Sequence, residues 1–148
     1  MKLSLPAILL ATTLAVSAQS TVKPFPKPAL AAKTVAIVNN THQEGVTEGA
    51  TDAIKRWGHL TLIDDADAAD ITLVFDKKSE HEKSTTQKTG EDGKPESTFS
   101  MSFSSAIHMH ASLKGAPTAF YSTTSSDSKK KAGEACILDL QHAYLDNH

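Results

Sequence analysis

The chain has 148 residues, with 17 acidic and 15 basic side chains and a formal net charge of −2. That balance, with no basic stripe interleaved with aromatics, excludes a nucleic-acid-binding surface. Cys136 stands alone, so no disulfide can form within the chain, and the length suits a single domain with its own core.

Lys2 opens a short positive segment, Leu3 to Val16 is largely apolar, and Val16-Ser17-Ala18 supplies the small residues that signal peptidase reads. Residues 1–18 therefore read as a secretory signal peptide. The apolar run is too short and too interrupted for a membrane span. The secreted protein is thus not expected to be integral to a membrane. No Cys sits at the cleavage point, which argues against a lipid anchor. Cleavage leaves 130 residues and, with Lys2 gone, 14 basic against 17 acidic side chains. The form of the signal points to a bacterial periplasm or the medium.

Pro24, Pro26 and Pro28 alternate with other residues. Residues 19–32 are expected as an extended, polyproline-like tether ahead of one domain over 33–148. Thr34 to Asn39 (TVAIVN) is a short β-branched run and reads as a buried strand. Val46, Ala50, Ala53, Ile54 and Trp57 recur at helical spacing, which predicts an amphipathic helix from about Glu44 to Trp57, stopped by Gly58. His59 to Ile63 is the next strand, and strand, helix and strand together make a parallel unit.

Asp64, Asp65, Asp67 and Asp70 crowd the following turn. They lack the central Gly and distal Glu of an EF-hand, so an acidic turn is expected there and a calcium loop is not. Ile71, Leu73 and Phe75 alternate with Thr72, Val74 and Asp76, which gives a third strand with the first set facing inward. Residues 77–97 form an almost wholly polar insert. It is expected to be partly disordered around a ragged hairpin.

From Phe99 to Leu113 the chain alternates strictly. Met101, Phe103, Ile107, Met109, Ala111 and Leu113 share one parity; Ser102, Ser104, His108, His110 and Ser112 share the other. This is a long strand of an antiparallel pair, with an apolar and a polar face. After the turn Lys114-Gly115-Ala116-Pro117, Thr118 to Thr123 returns as a fifth strand. Ala132, Cys136, Ile137, Leu140, Ala143 and Tyr144 then mark a final helix from about Asp127 to Leu145, with Cys136 as a small buried residue.

The predicted fold class is therefore α+β, a two-layer arrangement of a mixed sheet of about five strands (β-α-β-β-β-β-α) with two helices on one face. Pairing inward residues with inward residues sets Asp76 opposite His108 and Val74 opposite His110. A four-residue turn pairs Leu113 with Thr118 and brings Tyr121 beside His110 and Thr123 beside His108. Two histidines at i and i+2 on a strand can hold one transition-metal ion from one face, with zinc or copper as the candidates. Asp76 is the nearest further ligand, and His59 or His81 would serve if the sheet brought them close. Otherwise the pair simply decorates a solvated strand. No G-x-S-x-G, P-loop, C-x-x-C, H-E-x-x-H or dinucleotide fingerprint occurs, so an enzyme is the less favoured reading.

The run from Lys33 to Phe75, KTVAIVNN…AIKRWGHLTLIDDADAADITLVF, resembles the opening of small secreted bacterial envelope domains of unknown function. In these a strand, a helix ending in an aromatic-Gly-x pattern, a strand, an acidic turn and an "AD" strand follow one another. The layout is distantly similar to the amino-terminal domain of TolB and to the curli-secretion lipoprotein family. The resemblance implies a mixed sheet backed by helices in an envelope protein that works by contact. The expected role is non-enzymatic binding or structural work, with a strand edge or the bare polar face as the contact surface and another envelope protein as the candidate partner.

Overall fold

The computed structural model describes residues 24–89, 93 and 95–148. The expected signal peptide and the 19–23 part of the expected tether lie outside them. The elements run α1 (Lys27–Ala31), β1 (Thr34–Asn39), α2 (Glu44–Trp57), β2 (Thr61–Leu62), β3 (Ile71–Thr89), β4 (Pro95–Leu113), β5 (Ala119–Ser125) and α3 (Lys130–Asp146). One sheet has the order β2-β1-β3-β4-β5. β1 is parallel to both neighbours, and β3, β4 and β5 are antiparallel, so the sheet is mixed as the sequence predicts.

The apolar parity of each strand points at the helices. Val35, Ile71, Leu73, Phe75, Ile107, Met109 and Ala111 are buried against Val46, Ala50, Ala53 and Ile54 of α2 and Ala132, Cys136, Ile137 and Leu140 of α3. Burial, with Asp139 and Asp127 nearby, pushes the Cys136 thiol up to about 12, so it stays protonated and inert. α2 ends where the glycine allows. Gly58 takes φ 69° and donates its N–H to the Ile54 carbonyl at 3.0 Å.

Two glycines inside helices carry a meaning that the sequence alone did not disclose. A Cβ at Gly49 would stand 1.9 Å from the Lys130 carbonyl oxygen, and one at Gly133 would stand 2.0 Å from that of Val46. α2 and α3 thus cross with their backbones in contact. Charged pairs flank this crossing. Lys130 Nζ reaches Glu48 and Asp52 at 2.8 Å each, and Arg56 pairs with Glu134. α3 begins later than expected. Ser125 and Asp127 hydrogen-bond within their own turn, and Lys129 adopts φ 52°, so helical geometry starts only at Lys130.

Residues 24–32 are not an extended tether. Pro26 and Pro28 stand at the start of α1, where a fixed φ favours a helix and the missing N–H costs nothing. Phe25 is buried, edge-on to Phe120 at 5.2 Å, and its N–H donates to Asn147 Oδ1 at 3.0 Å. The Tyr144 hydroxyl donates to the Leu30 carbonyl at 3.0 Å. The segment is therefore docked on β5 and the end of α3.

The polar insert also differs from expectation. β3 and β4 pair without a break from Ile71↔Leu113 to Thr89↔Pro95. β1 reaches only to Phe75 and β5 only to Ile107. Beyond those rungs the hairpin continues as a two-stranded ribbon from Lys78 to Thr89, a length of about 40 Å at ~3.3 Å per residue. Backbone pairing needs no apolar side chains, and the β-branched Thr suits a strand, so polarity alone did not exclude it. β2 is shorter than the expected His59–Ile63, although Thr61 donates to the Lys33 carbonyl just before β1 and Ile63 to that of Val35 within it.

Candidate functional site

The sheet face opposite the helices carries Thr72, Val74 and Asp76 from β3, His108 and His110 from β4, and Ser122 and Thr124 from β5. Asp76 is in register with His108 and Val74 with His110, as pattern matching predicts. The β5 partners are not those predicted. A bulge leaves Phe120 unpaired, so Ser112 faces Ala119 while Ala111 faces Tyr121. One extra residue exchanges the two faces of the strand. Tyr121 and Thr123 turn to the helices, where Thr123 donates to Asp139 at 2.9 Å and Tyr121 packs 5.6 Å from Phe25. Burial, reinforced by Asp139, raises the Tyr121 hydroxyl above its ordinary value.

The histidines find hydroxyls instead. His108 Nδ1 and Thr124 Oγ1 are hydrogen-bonded at 3.1 Å, and His110 Nδ1 and Ser122 Oγ at 2.9 Å. The two rings are stacked, 6.5 Å apart and inclined by 23°. His108 Nε2 is buried and has no hydrogen-bond partner among the described residues. Asp76, across from His108, accepts instead from Asn40 Nδ2 at 3.1 Å. Asn40, Ser122 and Thr124 are thus the neighbours that sequence reasoning missed. Only the bulge would have revealed the last two, and no turn signal marks it.

His59 does not join this face. It lies on the helix side between Trp57 and Tyr144, at ring distances of 5.4 and 4.5 Å. Burial, then Lys33 and His148, lowers its pKa. His81 is in register with Phe103, on the parity opposite to Asp76 and His108. Among the described residues no group of three or more His, Cys, Asp and Glu side chains stands close enough to share a metal ion.

The acidic turn is structural. Asp70 Oδ2 accepts the backbone N–H groups of Lys33 and Thr34 at 2.9 and 3.0 Å, which holds this carboxyl below its ordinary value. Asp65 Oδ1 accepts from Asp67 and Ala68. An open recess between Pro28, Ala32, Leu113 and Ala116 has Asp70 and Lys114 as its titratable groups. Because Asp70 is committed to the backbone, the recess offers no acid–base pair.

No protein-family model and no curated sequence matches the chain. Among solved structures, it is similar to a PelC dodecamer from Paraburkholderia phytofirmans. There the identity is 14%, the TM-score is 0.42, and the match covers 76% of this chain and 86% of that one. It is also similar to a minor lipoprotein from Acinetobacter baumannii, at 10% identity and a TM-score of 0.35, covering 78% of this chain and 92% of that one. Neither likeness is strong enough to carry a functional argument.

Proposed function

We propose that this chain is a non-enzymatic contact module of the bacterial envelope, secreted or periplasmic, that acts through protein–protein pairing at a sheet edge. The observation that supports this most is the ribbon. Its strands run well past the rungs where β1 and β5 end, leaving backbone donors and acceptors without a strand neighbour among the described residues. Such edges recruit other strands. No helix among the described residues is long and apolar enough to cross a membrane, which is compatible with a protein released from its signal peptide.

The test is a shortened ribbon. Residues 79–105 are replaced by an Asn-Gly turn, which suits a two-residue hairpin. Wild type and variant are then cross-linked in intact envelopes and resolved by size. The wild type should give discrete adducts that the variant, still folded by circular dichroism, does not form. Identical adducts from both, or recovery of the protein in the cytosolic fraction, would contradict the proposal.

A second reading is transition-metal binding by the His108 and His110 pair; Asp76, which accepts from Asn40, does not complete a three-ligand group with them. It is favoured by the hydroxyl contacts at both Nδ1 atoms, which leave the Nε2 atoms as the free ligand positions, and by the unpartnered Nε2 of His108. Titration with Zn²⁺ and Cu²⁺ should give a dissociation constant tighter than about 10 μM that is lost in His108→Ala/His110→Ala. Equal binding by the double variant would dispose of it.

A further inference from the structure

We propose that the outer edge of β4 pairs antiparallel with the same edge of a second copy of this chain, about an axis through Met101. The inference rests on the contact-module reading and names its partner. Its first support is the place where the edge is open. β5 occupies β4 only from Ile107 to Ser112, and among the described residues no strand takes that edge from Ala106 to Pro95.

The second support is composition. From Ser97 to Ile107 (STFSMSFSSAI) there is no charge, no proline and no glycine. Natural edges are usually blunted by lysine, proline or a bulge. The matching stretch of β3, Lys77 to Gln87, is blunted in this way, with Lys77, Lys78, Glu80, Glu82 and Lys83. The β4 stretch is not.

The third support is symmetry. Phe99-Ser100-Met101-Ser102-Phe103 reads the same in both directions. Antiparallel pairing centred on Met101 sets Phe99 opposite Phe103 of the second copy and Ser100 opposite Ser102 of the second copy. No charge meets its like in this segment. Residues of one parity meet residues of the same parity, so both apolar rows fall on one side of the joined sheet.

The register also fits the ends. Under it Ala106 meets Glu96 of the second copy, and the next rung would need Pro95, which has no N–H. That is the rung where β5 already holds Ile107. The new strand therefore fills the gap and stops where β5 begins. The two Ile107 positions lie about 40 Å apart along the strand direction, which leaves room for both bodies. The product has the order β3-β4-β4-β3, with the charged edge of β3 outermost on each side, so growth halts at a dimer. Four paired strands, the central two each contributing Phe99, Met101 and Phe103, are also more stable than an isolated two-stranded ribbon.

The decisive experiment is sedimentation equilibrium of the secreted chain, wild type against Met101→Lys, with Met101→Cys as a second variant. Wild type should be a dimer. Met101→Lys sets two cations opposite each other and should weaken association about a hundredfold or more without changing the thermal midpoint read from Trp57. Met101→Cys should form a disulfide-linked dimer on oxidation, since Cys136 is buried. A wild-type monomer, a Met101→Lys dimer of unchanged affinity, or no cross-link through Met101→Cys would overturn the self-pairing. A wild-type monomer whose envelope adducts still depend on the ribbon would overturn the self-pairing alone and leave the contact module standing.

Discussion

A methyl group at Gly49 would meet the backbone of Lys130, and at Gly133 the backbone of Val46. Neither neighbour can swing aside as a flexible side chain could. Replacing Gly by Ala in a helix gains about 1 kcal/mol of propensity. Overpacking against backbone costs about 3 kcal/mol or more, so the clash wins. Gly49→Ala and Gly133→Ala should each lower stability by about 2 kcal/mol or more in urea unfolding followed by Trp57 fluorescence. Values within experimental error of wild type would show that the helices do not touch here. His59 makes a separate prediction at the same scale. Its folded pKa is depressed below the ordinary value, chiefly by burial. The unfolded chain therefore binds this proton first as pH falls. The contribution of His59 is complete above about pH 6.5 and declines as the pH drops below it. The unfolding midpoint should fall between pH 7.5 and 5.5 by more in wild type than in His59→Gln; equal slopes would contradict this. The sequence does not disclose the role of these glycines, because a close crossing is a property of two elements at once.

Among the elements, α1 and the ribbon are where the structure departs furthest from expectation. The three alternating prolines suggested an extended tether, yet two of them stand where a helix begins and Phe25 supplies the anchor. Phe25→Ala should cost about 3 kcal/mol, the loss usual for a buried Phe, in the same unfolding assay. A tether would lose nothing. Parity served well where strands pair without interruption. It set His108 and His110 on one face, with Asp76 and Val74 opposite. It failed at β5 because a single bulged residue, Phe120, exchanges Tyr121 and Thr123 for Ser122 and Thr124, and a bulge has no composition of its own. β1, α2 and its Gly58 stop were legible because periodicity and a terminal glycine both depend on local backbone geometry. The ribbon was not, since backbone pairing can proceed without an apolar face.

At the scale of the molecule, the core and the proposed contact surface are separate. α2, α3 and the inner sheet face bury the apolar residues, whereas the ribbon carries its strands beyond the rungs supplied by β1 and β5. That division is the one the proposed contact module requires, with a body that carries its own core and an arm that projects from it. The candidate histidines sit on the body's polar face, and the ribbon's uncharged β4 edge lies beyond them along the same strand. The most direct test of the edge is hydrogen exchange of the secreted chain, resolved by residue. In the dimer at about 100 μM, alternate amides from Ser97 to Ala106 should be protected, and dilution to about 1 μM should release them while β1 and the helices stay protected. Fast exchange of those amides at both concentrations would show that the β4 edge has no strand partner.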